Sequence, residues 1–263
     1  MAGAGSRFKR VGYDLPKPLI PAFGEPMYRH AIRSLPLQMA ENFICIIRTD
    51  SHSAALREDI EREFGYYHPI VIEMAHLTRG QAESVLWAKD YIAPQRPILI
   101  HNADSAFTLP ATDLFPPSAA DGALLLFRGS GAKWSYAAVD DQWRISQVTE
   151  KQPISPFAST GTYYFRSAAE LLELVRHSIH SENTVNGEYY VGPLYNQIIA
   201  KGKFVQGCEV ERFVSFGTPE DLAQSEANEL DREMIRTLRR HMSVASKDTC
   251  FTGGTPSFHL GAR

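Results

Sequence analysis

The strongest constraint on this chain is an alternation. Apolar runs of strand length, such as Ile44 to Ile47 and Gly122 to Phe127, are bounded by turn residues and separated by stretches whose apolar side chains recur at helical spacing. That alternation is how a sheet with crossover helices looks in sequence, so the fold class is α/β. Helices are predicted over residues 25–39, over SHSAALREDIEREFG and over GQAESVLWAKDYI, and strands over ENFICIIR, HPIVIEMA and PILIHNAD. The last of these ends on polar residues, and open α/β sheets bind ligands beyond the carboxyl ends of their strands.

From Gly122 onward the pattern changes. GALLLFRG, WSYAAVDD, ISQVTEK and STGTYYF read as strands of a second, mixed layer. SAAELLELVRHSIHS and GPLYNQIIAKG read as helices, KFVQGCEVERFVSF as one or two strands, and PEDLAQSEANELDREMIRTLRRHM as one long charged helix. Residues 1–242 are therefore expected to form one domain with halves at 1–121 and 122–242. The closing stretch, 243–263, has no period and is expected to be a mobile tail.

Composition narrows the function classes. With 44% apolar and 22% charged residues the chain has the profile of an ordinary soluble enzyme. Its net charge of −3, with mixed signs throughout, provides no basic stripe for a nucleic-acid backbone. Cys45, Cys208 and Cys250 form no C-x-x-C pair, which argues against a disulfide framework or zinc site and fits a reducing cytoplasm. The apolar runs fall short of the roughly 20 residues that a spanning helix needs, and no leader pattern opens the chain, so no membrane partner is expected.

The residues with chemistry begin at the N-terminus. Ala2-Gly3-Ala4-Gly5-Ser6-Arg7 is a glycine-rich turn able to present backbone N–H groups and a guanidinium to phosphate oxygens, although an isolated G-x-G is more often an ordinary turn. It is followed by Pro16-Lys17-Pro18-Leu19 and Gly24-Glu25-Pro26-Met27. Read without context, PKPL is a rigid extended linker, and a lysine held between prolines is also preorganised to meet a phosphate.

In this order, the motifs resemble the sugar-phosphate nucleotidyltransferase family, and with LTRGQAESV, KWSYA, EYYVGPLYN and FGTPEDL the likeness is closest to its bacterial capsule and surface-polysaccharide branch. The resemblance implies a doubly wound, mostly parallel mixed sheet of Rossmann-like, GT-A-like type. It implies that Ala2, Gly3, Ala4, Gly5 and Ser6 cradle a nucleoside triphosphate and that Arg7 and Lys17 offset phosphate charge during catalysis. Asp104, in His101-Asn102-Ala103-Asp104, matches the family's magnesium ligand, with Asn102 shaping the turn or touching ribose. Mg²⁺ keeps several waters and needs only one or two protein carboxylates, so a lone Asp suffices chemically.

Further motifs extend the match. Glu150-Lys151 and Gly161 correspond to the segment that holds the sugar phosphate, and Glu188 falls where relatives place an acidic sugar-binding residue. Gly80 and Glu83 lie where relatives read the base. The Glu83 carboxylate can accept from guanine or from the cytosine amino group, or it can serve the helix N-terminus, and the sequence leaves both open. Ser215 stands where relatives often carry an Asp that binds a second metal.

The implied reaction joins a nucleoside triphosphate to a sugar 1-phosphate, giving an NDP-sugar and pyrophosphate. A cytidylyltransferase for a non-sugar phosphate such as phosphocholine, a GT-A-type glycosyltransferase, or a ligand-binding homologue with impaired catalysis are the alternatives. Base, sugar and oligomeric state, a homo-oligomer included, stay open. One departure concerns architecture: relatives enter the glycine loop from a hydrophobic first strand, whereas this chain begins at Met1 inside the loop. The sheet is accordingly expected to lack its first strand, and the natural protein to start several residues upstream.

Overall fold

The computed structural model describes residues 5–110, 115–245 and 258–262. Its centre is a nine-stranded sheet in the order Val205–Glu209, Gly122–Arg128, Phe157–Phe165, Ile98–His101, Phe258–Ala262, Ala40–Arg48 and Ile70–Met74. The Ser135–Val139 and Ile145–Glu150 strands pair with each other and join the sheet at Phe157–Phe165. Phe157–Phe165 runs antiparallel to both of its neighbours in the main order, and the other pairings there are parallel.

Period-two alternation sends successive side chains of each strand to opposite faces, and both faces here are covered. Ile44, Ile46, Ile98 and Ile100 pack with the helices Gln81–Val85, Ala168–His180 and Tyr195–Ala200. Phe43, Cys45, Ile47 and Leu99 pack on the other side with Met27–Arg33 and Ser53–Phe64. A third cluster joins Phe8, Ile20 and Met27 to Val214, Phe216, Leu222, Met234 and Ile235, seating the N-terminal segment on the last helices.

Several expectations are corrected. The helix over 25–39 stops at Arg33, and Leu37–Met39 is a separate 3-10 turn after Pro36, which cannot continue a helix. The helix over 80–92 is α only from Gln81 to Val85 and continues as a 3-10 segment to Tyr91. The long charged helix is two, Pro219–Ala227 and Glu229–Ala245. Asn228 breaks them with an extended backbone, and its Oδ1 accepts from Leu230 N (2.9 Å) and Asp231 N (3.2 Å), so the break is also an N-cap. The four strands between Gly122 and Phe165 form no second layer, because they extend the same sheet, whereas Arg212–Ser215 pairs apart from it with Ser105–Thr108.

The largest correction lies in the middle of that sheet. The central place expected to stand open is occupied by Phe258–Ala262, from the stretch read as a mobile tail. This strand runs parallel to both neighbours, with Leu260 opposite Leu99 on one side and Phe43 on the other. A slot between two strands exposes N–H and C=O rows on both sides, and any extended segment can satisfy them whatever its side-chain period.

Candidate active site

A cavity of about 580 Å³ opens beyond the carboxyl end of the Ile98–His101 strand, lined by Arg7, Lys17, Asn102, Asp104, Lys151 and Glu188 among others. Its centre is a contact between residues 87 apart in sequence: Lys17 Nζ donates to Asp104 Oδ2 at 2.5 Å. The same ammonium donates to the Gly217 carbonyl at 3.0 Å and lies 5.6 Å from the Phe8 ring centroid. PKPL is not an extended linker here. Lys17–Leu19 forms a 3-10 turn with Pro18 buried, and Pro16 is the extended residue before it.

Asp104 leaves the sheet through a braced turn. His101 is fully buried, with Nδ1 2.8 Å from Thr162 Oγ1 and Nε2 3.0 Å from the Ser105 carbonyl. Burial pushes the His101 imidazole down to about 4, so the ring is neutral near pH 7. Burial acts to raise the Asp104 carboxyl, but the adjacent Lys17 ammonium outweighs it and holds the group below the usual carboxylate value. Asp104 is therefore an anion with its side chain still 32% exposed.

Asn102 is fixed from two sides. Its N–H donates to the Gly161 carbonyl at 3.1 Å, and its Oδ1 accepts from Gln81 Nε2 at 2.6 Å. Gly161 has φ +81°, and a Cβ there would run into the Asn102 side chain. The glycine thus makes room for Asn102.

Lys151 lines the same cavity from the end of the Ile145–Glu150 strand. Lys151 Nζ donates to Tyr190 Oη at 2.6 Å, while the Lys151 backbone sits at φ +58° and its N–H donates to the Trp134 carbonyl at 2.9 Å. A non-glycine residue in that region is uncommon and is more often found where function needs it. Glu150 accepts from the Ser135 hydroxyl, and burial raises its carboxyl despite that bond. Glu188 lines the cavity and exchanges backbone hydrogen bonds with Val185, both at 3.0 Å.

Of the other residues singled out from sequence, Gly5, Ser6 and Gly80 line the cavity, and Ala2, Gly3 and Ala4 lie outside the described residues. Glu83 is not among the lining residues. Its carboxylate accepts from the Arg79 N–H at 2.5 Å, which favours the helix-terminus role over base reading. Ser215 Oγ accepts from Gly217 N at 3.1 Å and lies 3.5 Å from Asp221 Oδ2, so it shapes the turn that supplies the carbonyl for Lys17. Lys133, Trp134, Tyr190 and Asp221 also line the cavity; they lie in the stretches KWSYA, EYYVGPLYN and FGTPEDL, from which sequence reasoning assigned them no role in the site.

Cations and carboxylates therefore interleave around one space, an arrangement suited to a polyanionic ligand accompanied by a metal ion. Among the described residues no group of three or more His, Cys, Asp or Glu is placed to hold a metal ion. Asp104 alone fits Mg²⁺ delivered with substrate phosphates, which supply the remaining ligands with water.

A nucleotidyl transferase family profile matches residues 1–210. The chain belongs to that family. This nucleotidyl transferase is 30% identical to a nucleoside-diphosphate-sugar pyrophosphorylase of known structure from Vibrio cholerae, covering 85% of this chain and 96% of that one with a TM-score of 0.75. It is 24% identical to the UTP–glucose-1-phosphate uridylyltransferase AglF of Haloferax volcanii over 86% of this chain and 92% of the relative. The inositol-1-phosphate CTP transferase of T. maritima, 18% identical with a TM-score of 0.69 over 95% of each chain, shares the nucleotidyl transferase fold. Among the described residues no helix is long and apolar enough to cross a membrane.

Proposed function

We propose that this nucleotidyl transferase joins a nucleoside triphosphate to a sugar 1-phosphate, releasing pyrophosphate and an NDP-sugar for surface polysaccharide synthesis in the cytoplasm. The observation that carries the reading is the meeting of Lys17 and Asp104 in a cavity that also holds Arg7 and Lys151. The names of the Vibrio cholerae and Haloferax volcanii relatives support the substrate class.

In this reading the sugar phosphate attacks as an anion. Its oxygen forms a bond to the α-phosphorus in line, the α–β anhydride bond breaks, and pyrophosphate leaves. Arg7 and Lys17 offset the charge gathering on pyrophosphate, and Lys151 orients the sugar phosphate, so positioning and electrostatics supply the rate. Asp104 would hold Mg²⁺, whose contribution when bound is to neutralise phosphate charge. Glu188 and the backbone beside Gly161 would meet the sugar, and Asn102 and Gly80 the nucleoside.

The test is a matrix of NTPs against sugar 1-phosphates, with phosphocholine and inositol 1-phosphate beside them, each with Mg²⁺ and pyrophosphate as readout. Release that requires both an NTP and a sugar 1-phosphate is expected. Release only with a non-sugar phosphate, or none with any pair, would refute the reading.

A further inference from the structure

Lys133, in the KWSYA stretch, lines the same cavity as Arg7 and has been given no role so far. Lys133 Nζ lies 2.5 Å from Asp221 Oδ1, joining residues 88 apart in sequence. The pair is not isolated. Asp221 Oδ2 lies 3.5 Å from Ser215 Oγ, Ser215 Oγ accepts from Gly217 N at 3.1 Å, and the Gly217 carbonyl accepts from Lys17 Nζ at 3.0 Å, which in turn binds Asp104. One polar chain thus runs from Lys133 to the Lys17–Asp104 centre.

We propose that Lys133 is a phosphate-binding residue of this site, held by Asp221 until a substrate phosphoryl group arrives and then released to it. This rests on the nucleotidyl-transfer reading only for the identity of the substrate that brings the phosphate.

The local structure separates a fixed loop from a movable head group. The loop is tied down where Gly129 N donates to the Pro156 carbonyl (3.0 Å) and where Tyr136 Oη donates to the Gly131 carbonyl (2.6 Å). Trp134 is wedged edge-on against Phe127 and Phe213, at 5.2 and 5.8 Å between ring centroids. Lys133 itself is 44% exposed on a flexible four-carbon stem, with Nζ 4.6 Å from the Trp134 ring centroid. An ion pair open to solvent on one side is weak and exchanges readily. Asp221, 13% exposed, lies in the first turn of the Pro219–Ala227 helix, where the dipole stabilises a carboxylate. A phosphoryl group offers Lys133 a charge-assisted bond of the same kind, with up to two negative charges and three acceptor oxygens behind it.

The experiment measures inorganic pyrophosphate binding by calorimetry with Mg²⁺ in the intact protein and in Lys133→Ala, Lys133→Arg, Asp221→Asn and the Ala/Asn double variant. Lys133→Ala is expected to weaken binding about tenfold, the loss of one charge-assisted phosphate contact, and Lys133→Arg to retain most of it. Asp221→Asn removes the competing anion and is expected to tighten binding several-fold, an effect that vanishes in the Lys133→Ala background.

A purely structural brace predicts instead that the two single variants weaken binding alike, and that result would overturn the proposal. So would an unchanged affinity in Lys133→Ala, or no pyrophosphate binding by the intact protein. Steady-state kinetics of Lys133→Ala assigns the phosphate: a raised KM for NTP points to the triphosphate, and a raised KM for the sugar phosphate to the acceptor. Normal pyrophosphate affinities with the expected signs but no NTP-dependent pyrophosphate release would refute the proposed reaction and leave Lys133 standing.

Discussion

Two of the lysines that line the cavity, Lys17 and Lys151, hold partners that differ in kind. Lys17 binds a carboxylate, Asp104, whereas Lys151 binds a phenol, Tyr190. The Lys17 wall is thus an ion pair, and in the proposed function its cation turns to phosphate and its anion to a metal ion. The Lys151 wall carries a cation bonded to a neutral phenol, with the Glu150 and Glu188 carboxylates acting on the same cluster. Chemistry that develops charge belongs at the first wall, and binding of a preformed anion at the second.

The largest expected effect breaks the first wall. Lys17→Ala or Asp104→Ala is expected to lower kcat by about 10³-fold, the upper range for removing one electrostatic contact to a transition state, with KM for the sugar phosphate little changed. Loss confined to KM would make the walls equivalent and erase the contrast.

Next comes the brace under Asp104. The folded-state value of His101 lies near 4 and its ordinary value is 6.5, so protons bind the unfolded chain first as pH falls. Its contribution to stability is complete above pH 6.5 and is lost progressively toward pH 4, up to about 3 kcal/mol for a shift of this size. Urea titrations at pH 7 and pH 4.5 should show this loss, and His101→Gln should flatten it. An unchanged slope in the variant would remove His101 from the account of the first wall.

A smaller effect tests the join between the walls. Gly161→Ala combines a positive φ with a clash against Asn102 and is expected to cost about 2 kcal/mol by chemical denaturation, with KM values for both substrates raised. The smallest effect is at the second wall. Lys151→Ala should raise KM for the sugar phosphate about tenfold, one charge-assisted contact, while KM for NTP stays constant. Equal rises in both would show that Lys151 serves the nucleotide as well.

The residues legible from sequence were those in motifs whose spacing carries a mechanism: the glycine loop with Arg7, the Lys17 between prolines, Asp104 at a strand end, and Glu150-Lys151. Gly161 was legible as a required glycine, but not its reason, because the Asn102 side chain that demands the space comes from another strand end. Glu83 could not be resolved because a carboxylate early in a helix suits both a base and a backbone N–H, and only the 2.5 Å contact with Arg79 separates them. Lys133 and Asp221 stood in stretches that carry the family likeness but had no role, since a lysine in a loop and an acid in a helix's first turn are ordinary until the fold brings them together.

What the sequence determined by itself is the alternation of strand and helix, and with it an α/β sheet whose Ile98–His101 strand ends in polar residues at the cavity. Period and spacing are local properties, written in neighbouring residues. What only the tertiary structure decided is which segments pair. Phe258–Ala262 has no period to announce it, yet it sits between Ile98–His101 and Ala40–Arg48. Strand pairing answers to backbone groups that need partners, and those groups are the same in every sequence.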